Sequence, residues 1–131
     1  IDLVIALNRN NILAAFEALT GLGYQPSVPV KAADFADERI RQKWIEEKGM
    51  KVLNLFSNEH PGLSVDVFVS EPFDFDREYE GALEAELREG LWVPFVTLET
   101  LIQMKEDADR DRDRDDLQHL RWIREEGERD D

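Results

Sequence analysis

The sequence contains no cysteine, and only two histidines, two methionines, two tyrosines and five prolines in 131 residues. Without cysteine there is no disulfide framework, no thiolate nucleophile and no cysteine zinc site. His60 falls in a polar turn and His119 close to the C-terminus, a poor zinc pair without thiolates. Cations are scarce as well: 16 Lys and Arg stand against 30 Asp and Glu, a net charge of −14. That balance excludes a protein gripping nucleic acid through a broad basic footprint, and it argues against docking on anionic lipid. No apolar run approaches the ~20 residues of a membrane-spanning helix. The apolar opening Ile1–Leu7 has no basic segment before it, so it does not read as a signal peptide, and a cytoplasmic location is expected. The chain opens without Met in what reads as mid-strand, so further residues are expected ahead of Ile1. With 42% hydrophobic residues there is material for a core. A chain of this size buries about two-thirds of its unfolded surface, and a single domain over 1–131 is expected, with 124–131 a charged tail that frays.

Hydropathy patterning predicts the order β-α-β-α-β-β-α-β-α-α. Leu3-Val4-Ile5-Ala6-Leu7 reads as a buried strand with Asp2 at its start. Asn8 or Asn10 can cap a helix carrying Ile12, Phe16 and Leu19, which Gly21 and Gly23 end. The prolines at 26 and 29 keep 25–30 extended or looping. Asp34 or Asp37 opens a second helix through about Lys48, with Ile40, Trp44 and Ile45 inward and Gly49 closing it. Met50–Phe56 and Leu63–Val69 read as strands joined by the polar turn 57–62. Glu78–Leu87 reads as a helix ending at Gly90, Leu91–Val96 as a short strand, and Thr97 as the cap of a helix carrying Leu98, Leu101, Ile102 and Met104. A last helix carries Leu117, Leu120 and Ile123. The expected class is α+β: one mixed sheet with flanking helices and a helical C-terminal pair.

Among thirty carboxylates, the informative ones stand where a carboxylate is awkward. Alternation through Leu63–Val69 puts Val65, Val67 and Val69 on one sheet face and Ser64, Asp66 and Phe68 on the other. A charge in mid-strand is costly unless paired, wet or bound to metal. Asp2 stands at the edge of another apolar strand in the same way. Two aspartates on neighbouring strands would suit Mg²⁺, which takes oxygen ligands, and a pair of such ions would activate an attacking oxygen and stabilise a leaving phosphate. On spacing alone, hydrogen-bonded structural aspartates remain the commoner outcome.

Ile1-Asp2-Leu3-Val4-Ile5 resembles the end of the Thr-x-Asp-Ile-Asp-Leu strand of the nucleotidyltransferase superfamily, the polymerase-beta-like group with its minimal bacterial members. Val65-Asp66-Val67 is similar to that family's third carboxylate strand. The segment 101–117 is similar to the Leu-Ile-x-Met-Lys-x-x-Ala-x-Arg-x-Lys-Asp-x-x-Asp-Leu stretch of small bacterial members, the antitoxin-like ones included. Lys105, Ala108, Arg110, Asp113, Asp116 and Leu117 fall in register, with Arg112 where Lys is common. The resemblance implies that Asp2 and Asp66 are the second and third metal-binding carboxylates. It places the first, together with the glycine turn that cradles the triphosphate, ahead of Ile1. It further implies two Mg²⁺ ions, an NTP substrate and transfer of a nucleotidyl group to a hydroxyl of a protein, RNA or small molecule, with Asp66 also activating that hydroxyl. The alternative within the resemblance is a catalytically degenerate member acting as an antitoxin or other protein-binding module, its negative charge turned to a basic toxin or other basic partner.

Lys105 and Arg110 are candidate triphosphate contacts, and equally candidates for ion pairs with Asp113 or Asp116 that fix a helix junction. Arg39, Arg41, Lys43, Lys48 and Lys51 form the one locally basic stretch, read chiefly as a solvated helix face. Trp44, Trp92 and Trp122 are expected in the core or at its margin. Ser64 and Ser70 have no histidine placed for nucleophilic work.

Overall fold

A computed structural model describes residues 1–108 and 111–129. The chain is α+β and divides into two compact units, Ile1–Phe75 and the described residues from Asp76 onward.

The first unit is a four-stranded mixed sheet with its helices on one face. In chain order it contains β1 (Asp2–Leu3), α1 (Arg9–Gly21), β2 (Tyr24–Pro26), α2 (Ala32–Phe35), α3 (Glu38–Lys48), β3 (Val52–Ser57) and β4 (Val65–Phe68). The strand order is β1-β4-β3-β2; β1 runs parallel to β4 and the other pairs are antiparallel. Asn8 caps α1, its side chain accepting from the Asn11 N–H at 2.9 Å. Asp37 caps α3 through the Arg39 and Ile40 N–H groups, and Gly49 ends that helix at φ 61°, in the left-handed region where a Cβ is strained. Ile12, Phe16, Phe35 and Trp44 from the helices meet Tyr24, Leu53, Leu55, Val65, Val67 and Val69 from the sheet in one core. Phe35 is its centre, with Phe16 at 5.0 Å and Trp44 at 6.2 Å between ring centroids.

One expectation for this unit changes: the opening strand is only Asp2–Leu3, the two residues with register partners on β4, and 4–7 is irregular. The second helix opens at Asp37, one of the two caps expected for it, and runs to Lys48 with Gly49 closing it; the short α2 precedes it.

The second unit contains β5 (Leu83–Arg88), β6 (Leu91–Phe95), α5 (Leu98–Ala108) and α6 (Asp111–Arg129), and α4 (Phe75–Glu80) leads into it. The helix expected over 78–87 is a short helix followed by a β-hairpin. Glu, Leu and Ala favour a helix there by propensity. Alternation of Leu83, Ala85 and Leu87 with Glu84, Glu86 and Arg88 carries the opposite period, and Leu83 opposite Phe95 and Ala85 opposite Val93 pair the strands. Gly90 closes the turn at φ 82°. Helix α6 runs to Arg129 and so takes in 124–129 of the expected charged tail. Ile102 and Leu117 are buried in this unit, whereas Trp92 and Trp122 are exposed, where the core or its margin is the expected place. No helix among the described residues is long and apolar enough to cross a membrane.

Candidate functional site

Because every helix of the first unit that contributes to its core packs on one sheet face, alternation sends the other face's side chains away from that core. Val65, Val67 and Val69 point into the core, as expected, so Asp66 lies on the opposite face. The parallel register pairs Asp2 with Asp66 and Leu3 with Val67. Leu3 packs against the core, which leaves Asp2 on Asp66's side. Backbone bonds hold the pair: the Asp66 N–H donates to the Ile1 carbonyl at 2.8 Å, and the Ile1 backbone nitrogen donates to the Ser64 carbonyl at 2.9 Å.

The row continues across the sheet. Asn54 on β3 is in register with Asp66, and its amide Nδ2 donates to Asp66 Oδ1 at 2.8 Å. On the far side of Asn54, the Ser27 hydroxyl donates to Asn54 Oδ1, and the Ser27 N–H donates to the Asn54 carbonyl at 2.9 Å. Asp2, Asp66, Asn54 and Ser27 thus form a polar row on the face opposite the core. Phe56, 38% exposed, flanks it on β3, two residues from Asn54. Asn54 is the residue that sequence reasoning passed over. Its signal was polar alternation inside Val52–Ser57 beside buried Leu53 and Leu55.

Neighbouring strands lie about 4.8 Å apart, so two in-register carboxylates on one face can share a cation. Mg²⁺ commonly takes one or two carboxylates, completing its shell with water and substrate phosphate oxygens. The all-oxygen chemistry of Asp2 and Asp66 fits that mode. Among the described residues, no group of three or more His, Asp or Glu is placed to hold a metal ion.

Lys105 belongs to the second unit. Its ammonium donates to Asp113 Oδ1 at 3.2 Å and to Asp116 Oδ2 at 3.1 Å. Burial works against the charge, but the hydrogen bonds and the charges of Asp116 and Asp113 outweigh it, holding Lys105 above the usual lysine range. The ion-pair role weighed for Lys105 is therefore present. Arg110 lies outside the described residues. Glu78 grips the start of α5: its carboxylate accepts from the Thr97 N–H at 3.0 Å and from the Thr100 hydroxyl at 2.8 Å. The Thr97 N–H bond is the chief cause holding Glu78 below the usual carboxylate range.

In the basic stretch, Arg39, Lys43, Lys48 and Lys51 are exposed. Arg41 is the exception: it is buried, donates to the Phe35 carbonyl and sits over the Phe35 ring.

No protein-family model matches the chain, and no curated protein matches its sequence.

Proposed function

We propose that the protein transfers a nucleotidyl group from an Mg²⁺-bound NTP to a hydroxyl on a protein, RNA or small molecule, using the polar face of the first unit's sheet. The observation that carries this reading is the register of Asp2 against Asp66 on parallel strands, side by side on the face opposite the core. Bound there, Mg²⁺ would supply charge neutralisation for the phosphates and for the pyrophosphate that leaves. Asp2 and Asp66 are the residues that would hold it. The acceptor oxygen forms a bond to the α-phosphorus, the bond from that phosphorus to the pyrophosphate oxygen breaks, and the acceptor's proton passes to the Asp66 carboxylate. The sequence resemblance supports the same reading through the placement of these two aspartates.

Calorimetry on the natural gene product tests it. Heat of NTP binding should require Mg²⁺ and vanish in Asp66→Asn. No Mg²⁺-dependent binding in the folded protein would sink the transferase reading.

A second reading is a protein-binding module, and the hairpin of the second unit favours it. Leu83, Leu87 and Trp92 are 55%, 60% and 57% exposed there, beside Glu84 and Glu86. Exposed apolar side chains rimmed by acid suit a basic protein partner, and the net charge of −14 would steer one in. Loss of partner capture in Trp92→Ser, with Mg²⁺-NTP binding absent, would favour this reading.

A further inference from the structure

Asn54 is an odd choice for its position. Asparagine is depleted in strands, and on the face opposite the core its amide needs no protein partner to be satisfied. It nevertheless has one at each end, Asp66 and Ser27. Chemistry fixes which end faces which. An ionised carboxylate only accepts, so Asn54 must turn its NH₂ toward Asp66 and its oxygen away. That oxygen then needs a donor, and the Ser27 hydroxyl is one. Reversing the amide would set its oxygen against a carboxylate.

The consequence falls on Asp66. Asn54 occupies Oδ1, and among the described residues no other side-chain hydrogen bond to Asp66 is present, so Oδ2 is the oxygen open to a cation or to an acceptor proton. Asn54 in turn stands on β3, whose backbone is paired on both sides, and its carbonyl accepts from the Ser27 N–H. The orienting group is therefore rigid where a water would not be.

We propose that Asn54, braced by the Ser27 hydroxyl, is a positioning residue that sets the rotamer of Asp66 and so decides which carboxylate oxygen meets the metal and the acceptor hydroxyl. This rests on the nucleotidyl-transfer reading above. Groups that orient metal ligands characteristically matter about ten- to a hundredfold in metal affinity.

The test is Mn²⁺ titration, read by the electron paramagnetic resonance of the free ion, on the natural gene product and its Asn54→Ala, Ser27→Ala, double and Asp66→Asn variants. Asn54→Ala should weaken Mn²⁺ binding about tenfold or more. Ser27→Ala removes one exposed hydroxyl with little risk to the fold, and should weaken it about threefold. Because Ser27 acts through Asn54, the double variant should bind no more weakly than Asn54→Ala alone. In metal-free protein, the Asn54 side-chain amide resonances should move in Asp66→Asn and in Ser27→Ala.

Wild-type binding that Asp66→Asn abolishes but Asn54→Ala leaves within about twofold overturns the positioning role and leaves the metal site standing. Additive effects of Ser27→Ala and Asn54→Ala overturn the relay. Absence of Mn²⁺ binding in the wild type overturns the transferase reading, and the positioning role with it. Should Asn54→Ala not fold, Ser27→Ala and the amide resonances decide, and no change in either counts against the proposal.

Discussion

Asp2 and Asp66 stand opposite each other across the parallel strands β1 and β4, both on the face turned away from the core. Like charges set directly opposite on neighbouring strands repel, at a cost of about 0.2–1 kcal/mol, and nothing about packing requires the pair. A cation between them reverses the sign of that interaction.

Asp2→Asn should therefore raise the thermal stability of the metal-free protein by a fraction of a kcal/mol, about the size of the relieved repulsion. On the nucleotidyl-transfer reading Mg²⁺ with NTP should raise the Tm of the wild type, and the same substitution should abolish that shift. Thermal scans with and without both ligands read the two effects together. A variant that loses stability and keeps the ligand shift would speak against a shared cation.

Glu78 links α4 to the first turn of α5. Its carboxyl is held below the ordinary value of 4.5, first by the Thr97 N–H. Folding thus favours the ionised form, so its contribution is fully present above the unfolded value and fades as pH falls through the lowered folded value. Glu78→Gln should accordingly be less stable than wild type at pH 7, with the gap narrowing below about pH 4.5. Urea titrations across that range check it.

Lys105 serves two acids in different surroundings. The Asp113 side chain is fully buried, whereas that of Asp116 is 54% exposed. Asp113→Ala should cost about 1–3 kcal/mol, because the bond to a fully buried side chain is lost and, among the described residues, only Asp116 is left to Lys105. Asp116→Ala should cost about 0–1 kcal/mol, as exposed ion pairs do. Since Lys105 is raised above its ordinary value, its share of stability holds below that value and is lost as pH rises through the folded one. Chemical denaturation of both variants gives the comparison.

Phe35 is completely buried between Phe16 and Trp44, with the Arg41 guanidinium over its ring. Phe35→Ala should cost about 3–5 kcal/mol, the larger part as a cavity that three rigid neighbours cannot fill. Phe35→Leu should cost far less. Denaturant midpoints at constant m-value measure it.

Much of this structure is local and could be read from the chain alone. Asn8, Asp37 and Thr97 cap helices because an Asn, Asp or Thr side chain reaches the nearby N–H groups unaided. Val65, Val67 and Val69 are inward because a strand alternates. The same alternation turned Asp66 outward, so the candidate site was visible as a carboxylate out of place. What the chain did not reveal depended on partners distant in sequence. Residues 83–88 have the composition of a helix, and only pairing with 91–95 makes them a strand. Arg41 reads as part of a solvated basic face, and only α2 ending against it at Phe35 buries it. Asn54 is the clearest case: alternation marks only the face it lies on, and it gains its place because β3 pairs with β4 in the one register that sets it beside Asp66. Sequence determined which residues are polar, capped and alternating; tertiary pairing decided which of them meet, because a strand's partners and register are set by the sheet and not by the strand.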